Sequence, residues 1–214
     1  MNFSSIKNII FDFGGVIINI EYARSTEALR AYSTSQDQVD FSQKGQSHLF
    51  DLYERGDISS SEFRDGLRRE YGIEATDDQI DEAWNSLLLD IPAERIDLLR
   101  TLAKKYRLFL LSNTNDIHMV AFHKIMADSH GLPNLEPLFE KVYYSHLVHK
   151  RKPHADIFAH VLAENNLNPE ETLFIDDSIQ HIEGAHKVGL QTLHLAPPLT
   201  INHALKEAAA EHEA

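Results

Sequence analysis

Asn8-Ile9-Ile10-Phe11-Asp12-Phe13-Gly14-Gly15-Val16 is the stretch on which the fold of this chain turns. It is apolar on both alternations up to Asp12, the pattern of a strand buried on both faces of a parallel sheet. A carboxylate then closes the run, and two glycines follow whose backbone N–H groups can turn inward as an anion-binding nest. An Asp in that position serves either as a nucleophile beside the nest or as the cap of the next helix, a role Asp favours. Because ligands in open α/β sheets bind outside the carboxyl ends of the strands, the residues after each other strand decide between them.

Four more short runs, rich in β-branched and aromatic residues, read as strands: 108–112, 141–145, 172–176 and 191–195, with the first over 8–13. Helical spacing predicts helices after Pro92 through Ile96, Leu99 and Leu102, over 117–125, and over 156–162 after Pro153. This alternation implies an α/β, Rossmann-like parallel sheet of about five strands with right-handed crossovers. Residues 21–90 break the rhythm. They carry no convincing strand, and two capping boxes, Ser59 to Glu62 and Thr76 to Gln79, each open an amphipathic helix. Phe63, Leu67 and Tyr71 form one apolar stripe, and Ile80, Ala83, Trp84, Leu87 and Leu88 another. The expected organisation is a core of residues 1–20 and 91–214 with a helical cap domain over 21–90. The tail, 201–214, reads as a surface helix that frays.

The 214 residues carry 20 Lys and Arg against 33 Asp and Glu, a net charge of −13, which excludes a broad nucleic-acid footprint or an anionic membrane surface as partner. The absence of cysteine removes disulfides, thiolate catalysis and Cys-ligated zinc, and accords with a reducing compartment. No signal-peptide pattern opens the chain, and no run approaches the ~20 apolar residues of a membrane span. A soluble, cytoplasmic protein is the expectation, with its oligomeric state open.

The other strand ends carry polar groups of a consistent kind. Ser112-Asn113-Thr114-Asn115 places hydroxyl, amide and N–H groups before a helix, which suits a phosphoryl group or a plain helix cap. His149-Lys150-Arg151-Lys152-Pro153 is the densest basic run; Pro153 restricts the Lys152 backbone, whereas Lys150 and Arg151 read as solvated. Asp176-Asp177-Ser178 ends the fourth strand as either a charged surface loop or, with Asp12, a group of carboxylates whose repulsion calls for a cation. Mg²⁺ fits such an oxygen-only set.

Taken together, FDFGGVI, LLSNTN, RKP and FIDDS, in that order at four strand ends, resemble the four motifs of the haloacid dehalogenase-like hydrolase superfamily. The resemblance spans roughly residues 6–195, with the helical cap inserted after the first strand. Within it the chain most resembles a bacterial sugar-phosphatase group acting on α-glucose 1-phosphate. The resemblance implies a Mg²⁺-dependent phosphomonoester hydrolase acting on a small phosphorylated metabolite. Asp12 would be the nucleophile that forms an aspartyl-phosphate. Gly14 and Gly15, Ser112, Asn113 and Lys152 would bind the substrate, with Ser112 and Lys152 assisting catalysis. Asp12, the Gly14 carbonyl, Asp177 and Asp176 would hold Mg²⁺.

The chain departs from the common pattern at Gly14, where most phosphatases of the superfamily have an Asp as general acid/base. Such a group is typically worth ~10²–10⁴-fold. Glu21, another residue of the helical insertion or an ordered water are the candidate replacements. The departure keeps two other readings open: a dehalogenase-type hydrolase, and a weakly active phosphate- or partner-binding protein. The thirteen histidines show no paired ligand spacing and read mostly as surface residues, His118 being the exception to inspect. Trp84, Phe63 and Tyr71 read as core of the helical insertion.

Overall fold

The computed structural model describes residues 3–34 and 48–210. Five strands, β1 (Asn8–Phe11), β2 (Arg107–Ser112), β3 (Lys141–Tyr144), β4 (Thr172–Asp176) and β5 (Gln191–His194), form one parallel sheet in the order β3-β2-β1-β4-β5. The order reverses direction at β1, so the crevice at the carboxyl ends of β1 and β4 is the topological switch point of the sheet. β1 ends two residues earlier than its apolar run. Asp12 still donates its N–H to the Ile175 carbonyl, but the next N–H, of Phe13, turns to the Asp12 carboxylate at 2.6 Å and leaves the ladder.

The helices, in chain order, are α1 (Tyr22–Arg30), α2 (His48–Glu54), α3 (Ser60–Tyr71), α4 (Asp77–Asn85), α5 (Ala93–Leu102), α6 (Asp116–His130), α7 (Ser145–Val148), α8 (Ala155–Glu164), α9 (Ile179–His186), α10 (Ile201–Ala204) and α11 (Lys206–Ala210). Both faces of the sheet are buried. Ile9, Phe11, Leu110 and Ile175 pack with Ile96, Leu99 and Phe122 of α5 and α6, while Ile10, Phe109 and Phe174 pack with Phe158, Val161 and Ile182 of α8 and α9. Each such side chain, fully withdrawn from water, contributes about 1.5–3 kcal/mol. The tail differs from its surface reading: Ile201, Leu205 and Ala208 of 201–210 are buried in the α5 side of this core. An Ala-rich helix presents little apolar bulk to a periodicity search, so its docking is visible only when the sheet face it covers is known. Fraying of the last four residues lies outside the described residues.

Helices α1 to α4 surround a core of their own, in which Leu29, Phe50, Tyr53, Phe63, Ile80 and Trp84 meet. Both capping boxes form: Ser59 and Glu62 exchange side-chain bonds with each other's backbone N–H, as do Thr76 and Gln79. The two crossings into the rest of the chain run side by side. Asn19 and Glu21 donate to the Asp90 and Leu87 carbonyls, and Leu89 donates back to Asn19. This helical group rests on the start of α6, where the Ile117 N–H donates to the Tyr53 hydroxyl at 3.2 Å and the Trp84 ring stacks on His118 at 4.8 Å. Among the described residues no helix is long and apolar enough to cross a membrane.

Candidate active site

At the switch point the pairing of β1 with β4 brings Asp12 beside Asp176, and the loop after α7 carries Lys152 between them. The Lys152 Nζ lies 2.7 Å from Asp12 Oδ1 and 2.8 Å from Asp176 Oδ2, with its side chain wholly buried. The Asn113 side chain holds this loop from β2: its amide donates to the Lys152 carbonyl and its Oδ1 accepts from the Lys152 N–H, both at 2.9 Å. This pair of hydrogen bonds to the Lys152 backbone explains why the amide follows the second strand.

The charges are unequal in their satisfaction. Burial opposes the Lys152 ammonium, but Asp12 and Asp176 outweigh it and hold Lys152 charged, above its ordinary range. Burial would also raise Asp176, yet Lys152 and His181 bring it down to about 2. Both oxygens of Asp176 are engaged: the Ser178 N–H donates to Oδ1 at 2.8 Å, Lys152 to Oδ2, and the His181 Nδ1 lies 2.9 Å from each. Asp12 is pushed well up, first by burial and then by the charge of Asp176. Asp177 is raised to about 6, again by burial and then by Asp176. Three carboxylates therefore share one ammonium, and the two that remain raised, Asp12 and Asp177, are the ones short of positive charge.

Gly15 explains the second glycine of the motif. Its φ is +70°, and a Cβ there would fall on the Asp177 carboxylate, so only glycine lets the β1 loop close against the end of β4. At Gly14 the space a side chain would need is bounded by Ile20, whose Cδ1 would stand 3.2 Å from an added Cβ.

A cleft of about 90 Å³ opens over the cluster, bordered by Asp12, Gly14, Asn113 and Lys152 and, opposite them, Tyr22, Glu54 and Arg151. A second cavity of about 70 Å³ adjoins it; Ser112 and Asn113 border this one, together with Trp84 and His118. Ser112 is thus brought to the neighbouring cavity rather than to the cleft itself. Glu21 is exposed and pairs with Arg24 at 3.2 Å; it borders a groove that Gly15 and Asp177 also line.

Two readings of the basic run and the histidines need correction. Arg151 is not solvated; it reaches across to α2, where its two Nη atoms lie 2.8 Å from Asp51 and from Glu54. Of the histidines, His181 rather than His118 belongs to the cluster, within ligand distance of Asp12 and Asp176. It lies five residues past Asp176, on the first turn of α9, a spacing with no general ligand signature. His118 is buried and neutral, held down to about 3 by burial alone, with Nδ1 2.8 Å from the Asn85 side chain. Glu54 and Arg151 escaped the sequence because their pairing joins segments about 100 residues apart.

A buried carboxylate, a pinned lysine and an acidic pair at the tip of a parallel sheet mark the chain as one of a class of α/β hydrolases. The chain belongs to the haloacid dehalogenase-like hydrolases, whose family model matches residues 6–189. It is 32% identical over 187 residues to D-ribitol-5-phosphate phosphatase of Bacteroides thetaiotaomicron, covering 87% of this chain and 90% of that one. It also resembles the solved structure of a family enzyme from Bacteroides thetaiotaomicron in complex with magnesium and inorganic phosphate. There the TM-score is 0.80 and the identity 39%, over 90% of this chain and 96% of that one. A family hydrolase from Porphyromonas gingivalis aligns with a TM-score of 0.85 and 34% identity, over 97% of this chain and all of that one.

Proposed function

We propose that this chain hydrolyses phosphomonoesters of small polyhydroxylated metabolites, sugar or sugar-alcohol phosphates, through an aspartyl-phosphate on Asp12 and with Mg²⁺ as cofactor. The observation that carries the reading is the buried Asp12–Lys152–Asp176 chain beside an under-neutralised Asp177. A trianionic centre with one ammonium has no stable use as packing, and it suits a site that takes up a divalent cation and a phosphoryl group together.

Asp12 Oδ attacks phosphorus as the bond to the leaving oxygen breaks, a water protonates the departing alkoxide, and a water then cleaves the acyl phosphate to free phosphate and restore the carboxylate. Lys152 holds Asp12 in place for attack and offsets charge on the phosphoryl oxygens. Asn113 fixes the Lys152 loop, and the backbone N–H groups of Gly14–Gly15 and Asn113 supply donors to those oxygens, with the Ser112 hydroxyl on the wall of the adjoining cavity. The donor set fits a hard divalent cation: Asp12, the Gly14 carbonyl, Asp176 and Asp177 would hold it, with Asp176 also oriented by Lys152, His181 and Ser178. When bound, the ion neutralises the carboxylates and the phosphoryl oxygens, the main demand of phosphoryl transfer. Residues 21–90 act as a cap domain over a core of 1–20 and 91–214, closing the cleft to water.

The D-ribitol-5-phosphate phosphatase relative supports the polyol part of this reading. The test is phosphate release by purified protein from a panel of sugar and sugar-alcohol phosphates with Mg²⁺ present. Release from at least one of them, carried by Asp12, is expected. No release from any ester, with esters still bound tightly, would instead favour a binding protein.

A further inference from the structure

We propose that Glu54, backed by Arg151, is the subsite that reads the hydroxyl groups of the leaving alcohol. The inference rests on the phosphomonoesterase reading above and names which residues select its substrates. Glu54 is the last residue of α2 and borders both the cleft over Asp12 and the adjoining cavity. Its side chain is only 14% exposed and its Oε2 lies 2.8 Å from Arg151 Nη2. A carboxylate there repels a phosphoryl group, so it serves the other end of the ester, where it accepts hydrogen bonds from hydroxyls. Of the residues that border the adjoining cavity Glu54 is the one carboxylate; Phe13, Trp84, Leu87 and Leu88 present carbon, and Tyr22, Ser112 and His118 present neutral polar groups.

Three further contacts fix Glu54 over the cleft. Arg151 also binds Asp51, one turn earlier on α2, at 2.8 Å. The His149 ring takes the Arg55 carbonyl at 2.9 Å. Gly56, at φ +68°, lets the turn after α2 press on the His146 backbone, where a Cβ would collide. The segment that carries Lys152 thus also holds Glu54, so the phosphoryl end and the hydroxyl end of the cleft are set by one loop. Burial raises the Glu54 carboxyl more than Arg151 lowers it, so the carboxylate gains from hydroxyl donors.

The experiment compares D-ribitol 5-phosphate with pentyl phosphate, which has the same chain length and a primary alcohol but no hydroxyls, in wild type, Glu54→Gln and Glu54→Asp. Hydrogen bonds to a charged acceptor are strong enough that losing one or two costs tenfold or more. The expected result is a fall of at least tenfold in the ratio of kcat/KM for ribitol phosphate to that for pentyl phosphate in Glu54→Gln. The fall appears in KM, with Glu54→Asp between Gln and wild type. An unchanged ratio overturns the proposal, and so does a loss confined to kcat with KM constant, which would make Glu54 a proton donor. If wild type cleaves neither these two nor any other ester, the function proposed above has failed instead, and that is seen before any variant is made.

Discussion

Lys152 has two carboxylates within 2.8 Å and no exposed surface, so its contribution is bound up with theirs. Replacing it by the similarly shaped Met in Lys152→Met leaves Asp12 and Asp176 facing each other uncompensated. Breaking a buried pair in this way costs about 3–5 kcal/mol, and a drop in Tm by differential scanning calorimetry measures it. Asp12→Asn acts in the opposite sense on stability, since it removes one of three repelling charges while Lys152 keeps Asp176. Turnover should fall by about a thousandfold or more in phosphate-release assays while Tm holds or rises. His118 offers a test of pH dependence away from the charged cluster. Its folded pKa of about 3 lies below the unfolded value of ~6.5, so between those limits the unfolded chain binds a proton that the folded chain refuses. Stability on this account is full above about pH 6.5 and declines as pH falls, by up to ~1.4 kcal/mol per pH unit. Denaturant titrations of His118→Gln at pH 7 and pH 5 should show a shallower loss than wild type, and equal slopes would refute the assignment.

Among the elements, those with their own local signals were legible in the sequence. Ser59 and Thr76 begin their helices where the capping boxes place them, because a cap is satisfied within four residues and needs nothing from the rest of the fold. The five strands were likewise visible, their ends moving by a residue or two where a side chain such as Asp12 takes over a backbone N–H. The helix expected over the tail forms as α10 and α11, but its docking, like that of α2, was not legible, since the groups they bury against arise from distant segments. Gly56 shows how narrow that docking is. Gly56→Ala puts a side chain at φ +68° against the His146 backbone, and a cost of about 1–3 kcal/mol is expected. If the turn positions Glu54 as proposed, the same variant raises KM for a polyol phosphate, and kinetics on the folded fraction would show it.

On the scale of the whole molecule, a chain of net charge −13 repels the phosphate it is proposed to bind. Local charge therefore has to reverse at the cleft, and Lys152 alone does not balance Asp12, Asp176 and Asp177. Treatment with EDTA should abolish phosphate release and added Mg²⁺ should restore it. Mg²⁺ should also raise Tm, since a ligand of the folded state alone stabilises it by mass action. Activity that survives chelation would remove the cation from the proposal.

The amino-acid sequence by itself determined the sheet, the four strand-end motifs and the membership of Asp12, Asn113, Lys152, Asp176 and Asp177 in one place. Strands buried on both faces have a pattern of their own, and a parallel sheet delivers all its carboxyl ends to a single edge. Only the tertiary structure decided how those groups divide the charge: Asp176 paired with Lys152 and His181, Asp12 and Asp177 left raised, and Ser112 turned to the neighbouring cavity. It alone also brought Glu54 and Arg151 to the cleft. Electrostatic satisfaction and substrate contacts depend on distances of a few ångströms between segments far apart in the chain, and no spacing rule along the sequence encodes them.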